Sequence, residues 1–357
     1  MTYSLTLGPF HSAWRGPQRF IVELNGETVT TVDYHGGLNE RGCAERIKRL
    51  PLSQTLRFVP RICGTCGHAH MLAYCHAIEQ LAGLTVPIRA QHVRVIVAEL
   101  ERIIMHMAGA ANLCEVLGVD YYVAPLRQHQ HDAQTLLLEI IRSLDGEHIL
   151  MPGGLAFDPT TGAVQSLQSG ILRFIKDLYQ SIDRIIDDRR LVARTVEVGS
   201  FAQAAASQLE VGGILARASG LLKDIRFTLP YATYQHIDAA VVVQESGDIY
   251  ARLMVMLLES HESAKMVDQA TRVIKVGPWE GSLPVLNAGI ASGSAEGPRG
   301  LITYVIQSDG VRINECEIRV SRQLDRLVAR SLLNNAQFDD VIAIIASTDT
   351  CTACAEC

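Results

Sequence analysis

Residues 3 to 8 and 19 to 34 alternate apolar with polar side chains, and Asn25-Gly26 inside the second run is a hairpin signal, so the pattern predicts a small N-terminal sheet. Beyond Cys75 the spacing lengthens to three and four residues. Tyr74 to Leu84 reads as a short helix leaving a cysteine pair, and Ala90 to Leu117 reads as a long one carrying Val93, Val97, Leu100, Ile104 and Met107 on repeating positions. Leu126 to Leu144, Val164 to Val192, Ala205 to Leu222 and Asp248 to Ile274 read as further helices, with Gly146 and Pro152-Gly153-Gly154 as breaks. Gly277 to Gly300 is rich in Gly, Pro and Ser and reads as a functional loop or connector. Ile302 to Ile306 and Val311 to Val320 read as strands turned at Ser308-Asp309-Gly310, and Leu324 to Leu333 as a helix. Val341 to Ala346 reads as a short apolar strand or buried turn that carries Asp349 and the last cysteines inward.

The expected class is therefore α+β, mainly α: a bundle of long helices with small sheets near the N-terminus and in the C-terminal third. No repeat or linker divides residues 1–357, so they are expected to form one unit, with a β-rich part at 1–50, a helical core at 51–280 and a closing part at 281–357. Composition narrows the function. Apolar residues at 48% and charged residues at 20% are a globular balance, and a net charge of −6 without a basic run points away from nucleic acid. No stretch approaches the roughly 20 apolar residues of a membrane span, so attachment to a membrane would come through other proteins. Met1-Thr2-Tyr3-Ser4 lacks the basic and apolar parts of an export signal.

Nine cysteines in such a chain argue for a reducing compartment and metal binding rather than a disulfide framework. Cys43, Cys75, Cys114 and Cys316 lie in apolar or mixed segments and are expected to be small buried hydrophobes. The other pattern is two CxxC pairs, Cys63/Cys66 and Cys351/Cys354, one early and one at the end. Two intervening residues let both thiolates reach one metal from a single turn. Four thiolates form a soft set that suits zinc, iron–sulfur centres or another thiophilic transition metal, and a lone CxxC is equally a zinc half-site or a redox pair.

The surroundings of the pairs carry more. Arg61-Ile62-Cys63-Gly64-Thr65-Cys66 followed by His70, with Asp349-Thr350-Cys351-Thr352-Ala353-Cys354 downstream, resembles the two nickel-binding motifs of NiFe hydrogenase large subunits. Gly8-Pro9-Phe10-His11, Val86-Pro87-Ile88-Arg89-Ala90, Glu99-Leu100-Glu101-Arg102, Pro152-Gly153-Gly154, Gly247-Asp248-Ile249-Tyr250-Ala251-Arg252 and Glu296-Gly297-Pro298-Arg299-Gly300 are similar to segments of its energy-converting membrane branch, which is related to the quinone-site 49-kDa subunit of complex I.

The resemblance implies a catalytic subunit that interconverts dihydrogen with protons and electrons. Cys63 and Cys351 match the terminal nickel thiolates, and Cys66 and Cys354 match those bridging nickel to an iron that carries one carbon monoxide and two cyanides. Cys351 is the expected proton acceptor, and His70 the donor to a bridging sulfur. Arg299 is expected above the site, paired with Asp349. The resemblance also leaves room for magnesium near the C-terminus. No third cysteine cluster is present, so electrons would pass to an iron–sulfur small subunit bearing a 4Fe–4S cluster. Membrane subunits would hold the complex at the cytoplasmic face of the membrane.

Departures from the branch concern proton delivery. Gly16 stands where a glutamate usually precedes Pro17, Ala44 aligns with another glutamate beside Glu45, Thr350 replaces a proline, and Cys357 replaces the final basic residue. His11, Glu40, Glu45 and water are the candidate replacements for the relay. His129 and His131 point different ways on a helix and are expected at a surface or interface, and His261 is expected to be structural. Two other functions fit the letters: a quinone-site or sulfur-reducing relative without hydrogenase activity, and a scaffold with a four-cysteine zinc knot.

Overall fold

A computed structural model describes residues 2–141 and 148–357. The N-terminal alternation forms an antiparallel sheet of β1 (Thr2–Leu7), β2 (Arg19–Asn25) and β3 (Thr28–His35), in the order β1-β2-β3, with Asn25 opposite Thr28 across the expected turn. Phe20, Val22, Leu24, Val29, Val32 and Tyr34 face the core. Two short helices then appear, α1 (Cys43–Arg49) and α2 (Leu52–Phe58), which the hydrophobic pattern does not announce. Each buries only two side chains, too few for a periodic signal.

The helical core consists of α3 (Gly67–Ala82), α4 (Ile88–Val116), α5 (Val123–Ile141), α6 (Thr161–Ile186) and, further on, a helix at Ile249–Val273. The predicted end of the third of these at Leu144, and its break at Gly146, lie outside the described residues. Helix α4 is buried around nearly its whole circumference, flanked by α5 and the 249–273 helix, while α6 shows one stripe, Val164, Leu167, Ile171, Phe174, Leu178, Ile182 and Ile185. β4 (Leu150–Met151) and β5 (Gly154–Leu155) make a minimal hairpin at Pro152-Gly153.

Two predicted helices are broken. The run to Val192 stops at Ile186 because the Asp188 carboxylate caps a new helix, α7 (Arg189–Thr195), by accepting from Arg190 N and Leu191 N. The run from Ala205 to Leu222 becomes α8 (Gln203–Gln208) and α9 (Gly213–Ala218), with Glu210 between them and Gly213 at the start of the second both at positive φ. At Gly213 a Cβ would lie 2.4 Å from the Arg299 carbonyl, so the break lets the chain run along the turn that carries Arg299. α10 (Ile225–Thr228) leads towards α11, the helix at Ile249–Val273.

The segment expected to be a loop at 277–300 instead ends in a ten-residue strand, β6 (Ala288–Gly297), which pairs with β7 (Gly300–Asp309) and through it with β8 (Ile313–Val320). Its small residues reflect close packing on a helix. At Gly293 a Cβ would sit 2.1 Å from Ala77 N and 2.4 Å from Ala73 O of α3. After α12 (Arg326–Leu333), the apolar run expected as strand or turn is the helix α13 (Phe338–Ser347), and α14 (Thr352–Ala355) closes the chain. A six-residue apolar run cannot by itself distinguish strand from buried helix, and Asp339 and Asp340 in the first turn favour the helix.

Candidate metal centre

The first cysteine pair occupies the turn before α3. Gly67 opens that helix where a Cβ would strike Pro60 O at 2.3 Å, so the turn closes only with glycine there. The exposed N–H groups of the helix start meet Glu101 of α4, which accepts from His68 N and Ala69 N at 2.9 Å each. The second pair is delivered by α13. Asp349 takes a left-handed conformation at φ 47°, and Gln323 accepts from Cys351 N at 3.1 Å. The N-terminal region fastens this tail: Thr352 N donates to Arg15 O, Glu356 accepts from Gly37 N and Asn39 N, and Arg41 donates to Ala353 O.

Four thiols separated by up to 291 residues in sequence thus meet in the interior, each at most 4% exposed. Cys63 Sγ lies 3.3 Å from Cys66 and 3.8 Å from Cys351, and Cys66 lies 3.4 Å from Cys354. Cys63, Cys66 and Cys354 are mutually within 4.8 Å, with Cys351 joined through Cys63. Hydrogen bonds from Cys354 and Cys63, then the Arg299 charge, pull Cys66 well below the ordinary thiol range, and a hydrogen bond from Cys351 lowers Cys63. Cys351 is raised, first by its bond to Cys63, and Cys354 is raised by its bonds to Cys63 and Cys66. The environment therefore favours ionisation at Cys63 and Cys66 of the first motif and the protonated thiol at Cys351 and Cys354 of the second. This soft, buried and partly ionised donor set fits a thiophilic transition metal.

Arg299, 4% exposed, spans the centre. Its Nη1 donates to Thr65 Oγ1 at 3.1 Å and approaches Cys66 Sγ at 3.6 Å, while Nε donates to Asp349 O at 2.5 Å. Its Nη2 lies 2.8 Å from Asp349 Oδ2, an ion pair made side-on rather than along a hydrogen-bond axis. Asp349 is also bound by Arg15 Nε at 3.1 Å, so one carboxylate holds two guanidiniums.

His70 Nε2 is 3.0 Å from Cys354 Sγ and Nδ1 is 2.9 Å from Tyr304 OH. Burial keeps the imidazole neutral, lowering its pKa to about 4, and keeps the Tyr304 phenol protonated. The phenol therefore donates to Nδ1, leaving the Nε2 proton to point at the sulfur.

All seven residues singled out in the sequence, Cys63, Cys66, His70, Arg299, Asp349, Cys351 and Cys354, are brought together. Arg15, Thr65, Glu101, Tyr304 and Gln323 were not foreseen. Thr65 was legible as the polar residue between the first two cysteines; its Oγ1 lies 3.1 Å from Cys63, 3.6 Å from Cys66 and 3.7 Å from Cys351. Tyr304 gave no signal, because its role depends on strand register.

The relay candidates stand differently. His11 stacks on Trp14 at 4.4 Å, and Glu45 pairs with Lys48 at 2.7 Å and is largely exposed. Near the C-terminus the Glu356 carboxylate accepts from the backbone N–H groups of Gly37 and Asn39. Cys357, half-buried, donates to Cys354 O at 3.2 Å. His131 is exposed as expected, but His129 is buried between α5 and α6 with Nε2 2.8 Å from Ser181 Oγ.

Two family profiles match successive parts of the chain: one described as "Nickel-dependent hydrogenase" over residues 41–135, and one as "Respiratory-chain NADH dehydrogenase, 49 Kd subunit" over residues 138–288. Among curated relatives, the "Carbon monoxide-induced hydrogenase" of Rhodospirillum rubrum is 29% identical over 368 residues, covering 99% of each chain. A subunit of the NADH-quinone oxidoreductase of Rickettsia canadensis is 30% identical over 286 residues, 80% of this chain and 73% of that protein. A chain in the structure of "the membrane-bound sulfane sulfur reductase (MBS), an archaeal respiratory membrane complex" superposes with a TM-score of 0.91 at 23% identity, covering 100% of this chain and 98% of that one.

Proposed function

The chain belongs to the family that unites nickel-dependent hydrogenase large subunits with the 49 kDa subunit of respiratory complex I, and from that premise we propose that it is the catalytic large subunit of a hydrogenase complex. One observation carries the reading: four buried thiols from two distant motifs converge under an arginine. Cys63, Cys66, Cys351 and Cys354 would hold a nickel–iron pair whose iron carries carbon monoxide and cyanide. When bound, that centre supplies the Lewis acidity and electron capacity for splitting or forming dihydrogen.

The rest is work for the chain. Cys351, whose thiol is raised and joined to the group only through Cys63, holds the proton at its Sγ. Thr65 offers its hydroxyl to that sulfur and to Cys63, so the proton has a short polar neighbour. Arg299 keeps a fixed positive charge beside Cys66, and Asp349 keeps that charge in place. His70 donates to Cys354 and limits its basicity. Burial keeps bulk water from the sulfurs.

Among the described residues, Cys63, Cys66 and Cys354 form the one tight His/Cys/Asp/Glu group capable of holding a metal, so electrons would leave to a cluster on a partner small subunit. No helix among the described residues is long and apolar enough to cross a membrane, and attachment would come through further subunits like those of the respiratory complexes to which relatives belong.

Infrared spectroscopy and metal analysis of the purified complex test the proposal. Carbon monoxide and cyanide bands with stoichiometric nickel are expected, and stoichiometric zinc without nickel rejects it. A second reading, a sulfur-reducing or quinone-site relative without hydrogenase activity, is favoured by Gly16, which leaves no room for the usual glutamate. Dihydrogen-dependent dye reduction by the nickel-loaded complex separates the two.

A further inference from the structure

Behind the hairpin that carries Arg299 lies a buried charge cluster that the site itself does not use. Glu99 accepts from Arg226 (2.8 Å), Arg102 (3.3 Å), Ser263 and Tyr234; Asp224 pairs with Arg226 (2.6 Å); Glu259 pairs with Arg217 and with His106 (2.8 Å); Glu296 pairs with Arg217 (3.0 Å). Four carboxyl groups thus face three guanidiniums, all nearly sealed from solvent. An unbalanced buried charge is costly, so the cluster is stable with one extra proton.

Geometry decides where that proton sits. On His106 it would leave a buried Nδ1–H without a partner among the described residues. Glu296 and Asp224 both line a surface groove of about 680 Å3, whose rim carries Glu210, Lys223 and Arg319, but Asp224 is held by Arg226 (2.6 Å) and approached by Arg217 (3.9 Å), whereas Glu296 has one guanidinium partner. Burial, and then the Asp224 charge, raise Glu296 to about 7 against the opposing pull of Arg217, Arg102 and Arg226.

The groove also leads towards the metal centre. Leu301 is the cross-strand partner of Glu296, and with Val320 and Ser321 it lines both the groove and a second void of about 10 Å3. The far wall of that void is formed by Cys66, Cys354 and Arg299. Its size admits at most one water. Arg102 binds the carbonyls of Glu296 (2.7 Å) and Gly297 (3.0 Å), so the carboxyl and the Arg299 turn are fixed to the same anchor.

We propose that Glu296 is the proton-relay residue of this centre, serving where Gly16 replaces the usual glutamate, with the groove as its outlet. The inference rests on the hydrogenase reading. In the oxidising direction Glu296 releases its proton to water in the groove, and the carboxylate then takes up, through water in the void beside Cys66, the proton that Cys351 gives up and hands on by way of Cys63 (3.8 Å) and Cys66 (3.3 Å). The Glu296 O–H breaks as a groove water gains an O–H, and an S–H then breaks as the Glu296 O–H re-forms; no electron moves in either transfer, and dihydrogen evolution reverses both.

The test is Glu296→Gln and Glu296→Asp in the intact complex, measured for dihydrogen turnover against pH, solvent isotope effect, infrared bands, metal content and thermal unfolding. The amide resembles the neutral acid, so Glu296→Gln should keep the bands, the metals and, on the acid side of neutrality, the unfolding temperature. Turnover should fall about a hundredfold, as loss of a positioned acid–base group does, and the limb of the pH profile near neutrality should vanish. Glu296→Asp should recover part of the rate with a shifted limb. Turnover in Glu296→Gln within about twofold of the parent overturns the proposal, as does a loss accompanied by altered bands, which would mark a structural role. Parent complex without carbon monoxide and cyanide bands overturns the functional reading itself, and the relay with it.

Discussion

Metal uptake by the four-thiol centre should release protons in a number the structure fixes. Cys351 and Cys354 are raised and Cys63 and Cys66 lowered, so at alkaline pH, close to the ordinary thiol value, the metal-free centre should carry two thiolates and two thiols. Binding a thiophilic dication through all four sulfurs must then expel two protons. Each displaced proton makes the apparent affinity about tenfold stronger per pH unit, so two give about a hundredfold. As the pH falls through the lowered values of Cys63 and Cys66, those thiolates also protonate, and the dependence should steepen towards four protons. Cobalt(II) is a suitable probe, because thiolate coordination is visible as charge-transfer absorption. Competition against a chelator of known pH dependence gives the slope, and calorimetry in buffers of different ionisation enthalpy gives the proton count directly. Cys351→Ser should lower the alkaline-side count by one. A slope near zero at that alkaline pH would mean that all four sulfurs are ionised beforehand, refuting the arrangement of two thiolates and two thiols; a slope of four there would refute the depression of Cys63 and Cys66.

Three other substitutions probe the surroundings. Asp349→Asn leaves the buried Arg299 and the partly exposed Arg15 without their shared anion, and denaturant unfolding should show a loss of about 3 kcal/mol, the low end for a broken buried pair because Cys66 remains beside Arg299. Tyr304→Phe removes the donor to His70 Nδ1; stability should drop by about 1 kcal/mol, and nitrogen NMR should show the His70 ring no longer held in one tautomer, whereas an unchanged ring signal would contradict the assigned donor direction. Gly16→Ala places a Cβ 2.0 Å from Thr352 Oγ1 at φ +85°, so it should cost more than the roughly 1–2 kcal/mol of left-handed strain alone, and adding Thr352→Ala should recover only the excess.

Most of the fold was legible wherever periodicity was long and one-sided. Helix α6 has an unbroken stripe over seven positions, and β2 alternates cleanly, as does β3 from Thr31 onward. The misses share a physical cause: local composition was set by a neighbour outside the window. Strand β6 looks like a loop because Gly293 must let α3 approach its backbone, and the helix expected across 205–222 breaks because Gly213 rests on the Arg299 carbonyl. Nothing within either segment says what lies against it.

The site divides along the same line. Residues whose chemistry is local, the two cysteine pairs and His70 four positions after Cys66, are recognisable as letters. Those that act by closing space, Gly16 against Thr352, Gly67 against Pro60 and Arg15 across Asp349, acquire meaning only when the termini meet. That meeting explains the departure at Gly16. Arg15 and Cys351 form a parallel backbone bridge, and Thr352 N donates to Arg15 O, so the next residue must turn away with positive φ and no side chain. A glutamate there would place its Cβ 2.0 Å from the Thr352 hydroxyl and could fit only by displacing that side chain. The same bridge aims the Arg15 side chain at Asp349, so the backbone arrangement that excludes a carboxylate at position 16 supplies a second cation to the centre. A proton route for this chain therefore has to begin elsewhere on the wall of the site, and the Arg299 hairpin, with a carboxyl three residues before the arginine, offers one.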